Sequence, residues 1–249
     1  IIVNKDFRWS VNVNATHYKN KILSLPPENE KVGGLVSGYF KYTVGGSIYD
    51  YYLREWAGVD SGTGKGMWWK YNEDGSREKT DSYQDATQRL CGASALPKLY
   101  GGFGTSLTYK GIDLSINFAY SIGGKHYDMA YGLLMHAGTS YDHGYNWHND
   151  ILNAWTPENP NTDVPTLNYD DVYANSTSTR FLIDASYLSL QNITVGYTLP
   201  ASVGKALGIG PVRIYAVADN VALISKRKGY DPRMYINGIG ERDQVGGQN

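Results

Sequence analysis

The sequence predicts an all-β protein of antiparallel strands, and three observations carry that reading. Apolar and polar residues alternate with period two over runs of about 10 residues, as in a strand with two unlike faces. Two of these runs are joined by Lys110-Gly111 alone, a two-residue hairpin connection with Gly where a positive φ is needed. Helix signals are scarce, 201–207 being the one short candidate.

The elements follow in chain order. Phe7, Trp9, Val11, Val13 and Ala15 share one face of a first strand, with Arg8, Ser10, Asn12, Asn14 and Thr16 on the other. Weaker strands are expected at 47–57 and on both sides of the Asp74-Gly75 turn. Between them, Gly62-Thr63-Gly64-Lys65-Gly66 lacks the spacing and the Ser or Thr of a phosphate loop, so it reads as a polar hairpin after Asp60. Leu99, Phe103, Leu107 and Tyr109 then alternate with Tyr100, Gly102, Gly104, Ser106 and Thr108. After the Lys110-Gly111 turn, Ile112, Leu114, Ile116, Phe118, Tyr120 and Ile122 alternate with Asp113, Ser115, Asn117, Ala119 and Ser121. Ile193, Val195, Tyr197 and Leu199 repeat the pattern. Val212, Ile214, Ala216 and Ala218 repeat it less cleanly, because Tyr215 and Val217 stand opposite.

Two architectures fit such strands. In a soluble sandwich the apolar face is the core; in an outer-membrane barrel it meets lipid and the polar face lines a wet lumen. Ser, Thr, Asn and Gly on the polar faces favour the barrel, as do aromatics near strand ends (Phe7, Trp9, Tyr109, Tyr120, Tyr197). The contrast between the minimal turn at 110–111 and the long connection at 123–179 points the same way.

Composition narrows the function. Lys and Arg total 23 against 24 Asp and Glu, a net charge of −1, so the basic face of a nucleic-acid binder is not expected. No apolar run is long enough for a membrane-spanning helix, and mean hydropathy is −0.42. Gly (29) and Tyr (22) are the compositional outliers. Cys91 stands alone, which rules out a disulfide framework. The start at Ile1 shows neither a signal-peptide pattern nor Met, so a fragment is expected.

Several phrases, taken together, resemble the C-terminal part of the SusC/RagA family of TonB-dependent outer-membrane transporters. They are Gly45-Gly46-Ser47 leading into Tyr51-Tyr52-Leu53-Arg54-Glu55-Trp56-Ala57-Gly58-Val59-Asp60, then Pro97-Lys98-Leu99-Tyr100-Gly101-Gly102-Phe103 and Tyr109-Lys110-Gly111-Ile112-Asp113-Leu114-Ser115. Trp155-Thr156-Pro157-Glu158-Asn159-Pro160 follows. The last are the stretch from Ser186 to Pro200, Asp219-Asn220 and Gly229-Tyr230-Asp231-Pro232. The resemblance implies a partial antiparallel transmembrane β-barrel, about seven or eight strands of 22, with long extracellular loops. Residues 1–249 would then be one barrel domain, with the plug domain and closing strand outside the chain.

It further implies import of oligosaccharides or peptides across the outer membrane of a Gram-negative, Bacteroidetes-like bacterium. The implied partners are a SusD-like surface lipoprotein, the TonB–ExbB–ExbD system acting through the plug, and outer-membrane lipid. The alternative function is a secreted soluble β-sandwich that binds carbohydrate without transport.

On the barrel reading, Arg8, Asn12, Asn14, Asp113, Ser115 and Asn117 face the lumen. If 110–111 is periplasmic, then 200–211 returns there, and 123–179 and 225–249 are extracellular. Segment 123–179 holds Asp128, Asp142, Asp150, Glu158, Asp163, Asp170 and Asp171 against Lys125 alone, with eight Tyr and Trp residues among them. Aromatic faces stack on sugar C–H faces, while carboxylates and amides bond hydroxyls. Tyr145, Trp147, Asn149 and Asp150 are therefore the candidate ligand-binding residues, next to Asn146 and His148; Trp155, bracketed by its Pro-containing phrase, reads as structural. The same residue types also suit loop packing or a partner interface. No metal, cofactor or catalytic group is expected. His17, His126, His136, His143 and His148 lack ligand spacing, and the neighbours Asp170-Asp171 point to opposite faces of an extended chain.

Overall fold

A computed structural model describes residues 1–139 and 144–234. Its strands are β1 (Ile2–Asn4), β2 (Phe7–Thr16), β3 (Leu35–Ser37), β4 (Phe40–Tyr42), β5 (Asp50–Arg54), β6 (Trp56–Val59), β7 (Gly66–Tyr71) and β8 (Arg77–Thr80). They continue as β9 (Gln88–Ser94), β10 (Leu99–Tyr109), β11 (Ile112–Ile122), β12 (Lys125–Tyr127), β13 (Leu182–Asp184), β14 (Tyr187–Thr198) and β15 (Arg213–Ser225). Short helices are α1 (Pro27–Lys31), α2 (Met129–Leu134) and α3 (Ala201–Ala206). The chain divides into two compact units: Ile1–Tyr18, Pro97–Gly124 and Asp184–Arg233 in the first, Lys19–Leu96 and Lys125–Ile183 in the second.

The first unit is one antiparallel sheet in the order β1-β2-β10-β11-β14-β15. The Lys110-Gly111 turn sits at φ 45° and 86°, the doubly left-handed geometry that matches the twist of its strands. Tyr109 pairs with Phe7 and Ile112 with Tyr197, so this turn, the Lys5-Asp6 turn and the connection carrying α3 lie at one end of the sheet. Residues 17–98 and 123–186 leave from the other end and are clasped at their bases. His17 Nδ1 lies 2.6 Å from the Lys98 carbonyl, Gly123 N–H donates to Ser186 Oγ at 2.9 Å, and Ala185 N–H donates to the Gly124 carbonyl at 3.2 Å.

Cross-strand register keeps the two faces separate. Trp9, Leu107, Leu114, Val195 and Ala216 form one apolar row, and Val11, Thr105, Ile116, Ile193 and Ala218 the next. Where the ladder shifts, near Gln191 on β14 and after Asp219 on β15, the extra residues restore the alternation, so Leu190 still joins Phe118 and Ala222. This apolar face is uncovered: Val11 is 53% exposed, Val13 69%, Val195 46% and Ile214 64%. A sandwich would bury these side chains against a second sheet, so the sandwich alternative is overturned. The large sheet has six strands among the described residues, against the seven or eight expected, because the weaker strands of 47–57 and 66–80 pair elsewhere.

They pair within the second unit, which is built the opposite way. Its sheets are β3-β4-β5-β9, β6-β7-β8 and β12-β13. Their strands are short, and the interior is aromatic: Phe40, Tyr51, Leu53, Tyr127, Met135, Val164 and Phe181 form one buried cluster. Tyr39 stacks on Tyr127 at 4.2 Å, and Phe181 meets Tyr127 and Tyr131 edge-on at 6.1 Å. Burying each such side chain contributes roughly 1.5–3 kcal/mol. Asp60 closes the β6–β7 hairpin as expected, accepting from the N–H groups of Gly62 and Thr63 and from the Thr63 hydroxyl. Helix α3 falls where 201–207 predicted it. Two helices escaped the sequence reading: α1, which begins at a Pro, and α2, whose Tyr131 N–H is capped by Asp128 at 3.0 Å.

Candidate functional site

Two polar constructions stand out, one in each unit. On the sheet, the face opposite the apolar rows carries a ladder of amides. Asn12, Gly104, Asn117, Asn192 and Asp219 align across five strands. Gly104 is required by close approach: a Cβ there would collide with Asn117 Oδ1 and come within 3.1 Å of Asn12 Oδ1. Asn192 Nδ2 donates to Asp219 Oδ1 at 2.6 Å, and Ser10 Oγ lies 2.6 Å from Ser106 Oγ. Gly196 serves a similar purpose. With no side chain of its own, it lets Arg213 reach across β14 to hold Asp113 with both nitrogens, at 3.0 and 2.6 Å. Arg8, Asn12, Asn14, Asp113, Ser115 and Asn117 all stand on this face, by their register with β10.

In the second unit, a cleft of about 370 Å³ is lined by Tyr131, Asp150, Asn153, Asn159, Asn161, Thr162, Asp163 and Val164. Its frame is set locally. The 3₁₀ turn Asn149–Asn153 begins at His148, whose Nδ1 accepts from Asp150 N–H at 3.1 Å. Tyr131, on α2, donates its hydroxyl to Asp150 Oδ2 at 2.9 Å and meets the His148 ring edge-on at 4.8 Å. Asn159 Nδ2 and Thr162 Oγ1 both donate to the Asn153 carbonyl, at 3.2 and 2.6 Å, folding 159–163 over the turn. The lining presents two carboxylates, three amides and two hydroxyls with no basic side chain, which suits hydroxyl or amide donors and disfavours anions.

Of the four ligand-binding candidates, Asp150 alone lines this cleft. Tyr145 and Asn149 are exposed nearby in sequence. Trp147 is half committed to structure: it stacks on the buried His136 at 5.2 Å and donates Nε1–H to the His136 carbonyl at 3.0 Å, leaving its other side exposed. Trp155 is structural, donating to the Ser61 carbonyl at 3.0 Å and packing against Gly64. Sequence reasoning missed Asn153, Asn159, Asn161 and Asp163. Their alternate spacing in Asn159-Pro160-Asn161-Thr162-Asp163 was the available signal.

Burial acts on several titratable groups without building a reactive centre. It pushes the Cys91 thiol up, and that thiol donates weakly to the Tyr51 carbonyl at 3.5 Å. It holds the His126 imidazole below its ordinary range and lowers Arg180 to about 10. Arg180 lies over the rings of Trp56 and Phe181, at 5.0 and 5.1 Å, and donates to the Ala174 carbonyl at 2.6 Å. No three His, Cys, Asp or Glu side chains gather into a metal-holding group among the described residues; His143 lies outside them.

No protein-family model matches the chain. It is similar to two curated proteins of Formosa agariphila: TonB-dependent receptor P3, with 29% identity over 98% of this chain, and TonB-dependent receptor P26, with 25% over 94%. The chain spans 25% of the length of each. Among solved structures it is similar to the RagAB peptide transporter, with a TM-score of 0.76 and 29% identity over 93% of this chain and 25% of that one. The RagAB peptide importer in its open-open state gives a TM-score of 0.70 at 28% identity over the same shares. These relatives are receptors and transporters, not enzymes. Sequence phrases, relatives and fold agree on a partial antiparallel β-barrel similar to that of SusC/RagA-like receptors.

Proposed function

We propose that this stretch of SusC/RagA-like barrel forms part of the wall and extracellular loops of an outer-membrane importer for peptides or oligosaccharides. The observation that carries the reading is the two-faced sheet: an uncovered row of Val, Ile and Leu on one side and an amide ladder on the other. Hydrocarbon is the solvent in which the first face is at rest, and water the solvent for the second. Arg8, Asn12, Asn14, Asp113, Ser115 and Asn117 then line the lumen, as a hydrogen-bonding wall for polar solutes. The whole chain belongs to one barrel domain. The turn at 110–111 and the connection 200–211 face the periplasm, and 123–179 lies outside the cell, as does 225–249, whose residues 235–249 fall outside the described part.

Support for an energised importer comes from the two curated receptors and from the RagAB neighbours. A SusD-like lipoprotein on the extracellular side and TonB–ExbB–ExbD acting through a plug complete the assembly, in the outer membrane of a Gram-negative, Bacteroidetes-like cell. Tyr145, Trp147, Asn149 and Asp150 contribute to ligand capture, Asp150 from the wall of the cleft. The test is uptake by cells carrying the full receptor. Replacing Asn12 and Asn117 together by Leu should leave barrel assembly intact and cut uptake roughly tenfold or more, since two hydrogen-bonding amides are lost along the path. Unchanged uptake in an assembled variant would overturn the lumen assignment.

A further inference from the structure

Strand β8 is the outer strand of the β6-β7-β8 sheet among the described residues, and its side chains are unusually arranged. Trp69 pairs with Lys79 and Tyr71 with Arg77, placing all four on one face. The Arg77 guanidinium lies 4.0 Å from the Trp69 ring centre, with the Lys79 ammonium 5.7 Å from the same ring. Arg89 covers Tyr71 at 4.1 Å, and Arg77 Nη1 reaches the Tyr71 hydroxyl at 3.4 Å. Glu55 accepts from the Tyr71 hydroxyl at 2.5 Å and sits 4.0 Å from Arg89, and Lys79 feels the Asp60 carboxylate from beyond ion-pair distance. Arg77 and Lys79 have no carboxylate within ion-pair distance among the described residues. The strand's own acid, Glu78, is turned to the other face, where it pairs with Lys70 at 3.1 Å.

A lysine or arginine on an edge strand protects it from pairing with a copy of itself. That role asks for charge alone. Seating Arg77 and Lys79 over the Trp69 ring does more, because it fixes the cations before any ligand arrives and lowers the entropy cost of binding an anion. The spacing is selective too. Arg77 and Lys79 are two residues apart on an extended strand, so their side chains repeat at about 7 Å, as do alternate side chains of a peptide laid alongside.

We infer that the outer edge of β8 is a docking strip for an extended acidic peptide, whose alternate carboxylates meet Arg77 and Lys79. The inference stands apart from the lumen and from the Asp150 cleft, whose carboxylates and amides disfavour anions, so the two sites select different chemistry.

The test uses the full receptor in detergent and a fluorescent peptide alternating Glu with Thr, with its Gln-for-Glu counterpart as control. Binding of the Glu peptide should exceed that of the Gln peptide roughly tenfold and weaken steeply with salt. The double variant Arg77→Gln/Lys79→Gln should remove that preference, while Lys70→Gln on the opposite face leaves it in place. Arg77→Lys, which keeps the charge and loses the planar fork, should fall between them and shows that the hairpin still folds. Equal binding of the two peptides, or an undiminished preference in the double variant, would overturn the inference. Binding of an oligogalacturonate through Arg77 and Lys79 without binding of the Glu peptide would overturn the peptide assignment. None of these outcomes depends on uptake.

Discussion

Val11, Val13, Val195 and Ile214 on the large sheet and Phe40, Leu53, Met135 and Phe181 in the second unit are equally apolar, yet the first set is bare and the second sealed. The sheet spreads its apolar side chains over one broad face and spends its amides on the other. The second unit wraps short strands around a knot of rings. One part of the chain thus relies on an external apolar solvent, while the other supplies its own.

Substitutions that act on one side only should break that contrast if it is mistaken. The largest effect is expected for Phe181→Ala, which empties a fully buried site among Tyr127, Tyr131 and Gly132. It should cost about 3–5 kcal/mol, and hydrogen exchange should accelerate in 125–183 while β10 and β11 keep their protection. Ile116→Arg should come next, at about 2–4 kcal/mol in lipid vesicles by reversible urea unfolding, because the charge is forced into hydrocarbon. Its sequence neighbour Asn117→Arg, on the amide face, should be tolerated. Equal penalties would mean that the two faces see the same solvent.

A smaller loss is expected for Gly196→Ala, whose methyl group would occupy the space through which Arg213 reaches Asp113; a crystal structure should show the pair parted. Smaller again is a pH effect confined to the second unit. Burial holds the His126 imidazole below its ordinary 6.5, so the unfolded chain takes up its proton first as the pH falls. The second unit should therefore lose stability as the pH drops below 6.5 and be insensitive above it. His126→Asn should flatten that slope in thermal melts.

The same contrast explains what could be read from the sequence. The long strands were legible because ten or more alternating residues leave a period-two signature that no helix imitates. The two-residue turn was legible because Gly111 has few other reasons to stand there. The second unit was not. Strands such as Phe40–Tyr42 or Lys125–Tyr127 are too short to show a period, and their rings pack from several directions at once. Nothing in the order of residues announces that 19–96 and 125–183 share one interior. The cleft was half legible for the same reason: Asp150 stood in an acidic aromatic stretch, but Asn161 and Asp163 join it because their neighbours Asn159 and Thr162 bond to the Asn153 carbonyl, which belongs to the backbone and leaves no mark in composition.

The clasps at His17–Lys98 and Gly123–Ser186 have a consequence for how such a chain diversifies. Each fixes the entry and exit of a long excursion within hydrogen-bonding reach of one another, so the sheet meets every excursion as if it were a closed ring of constant width. Lengthening or replacing what lies between then adds little closure entropy, since each doubling of a flexible span costs only about 0.6 kcal/mol. A graft cut at these two stems should leave strand register untouched and carry its own ligand preference with it.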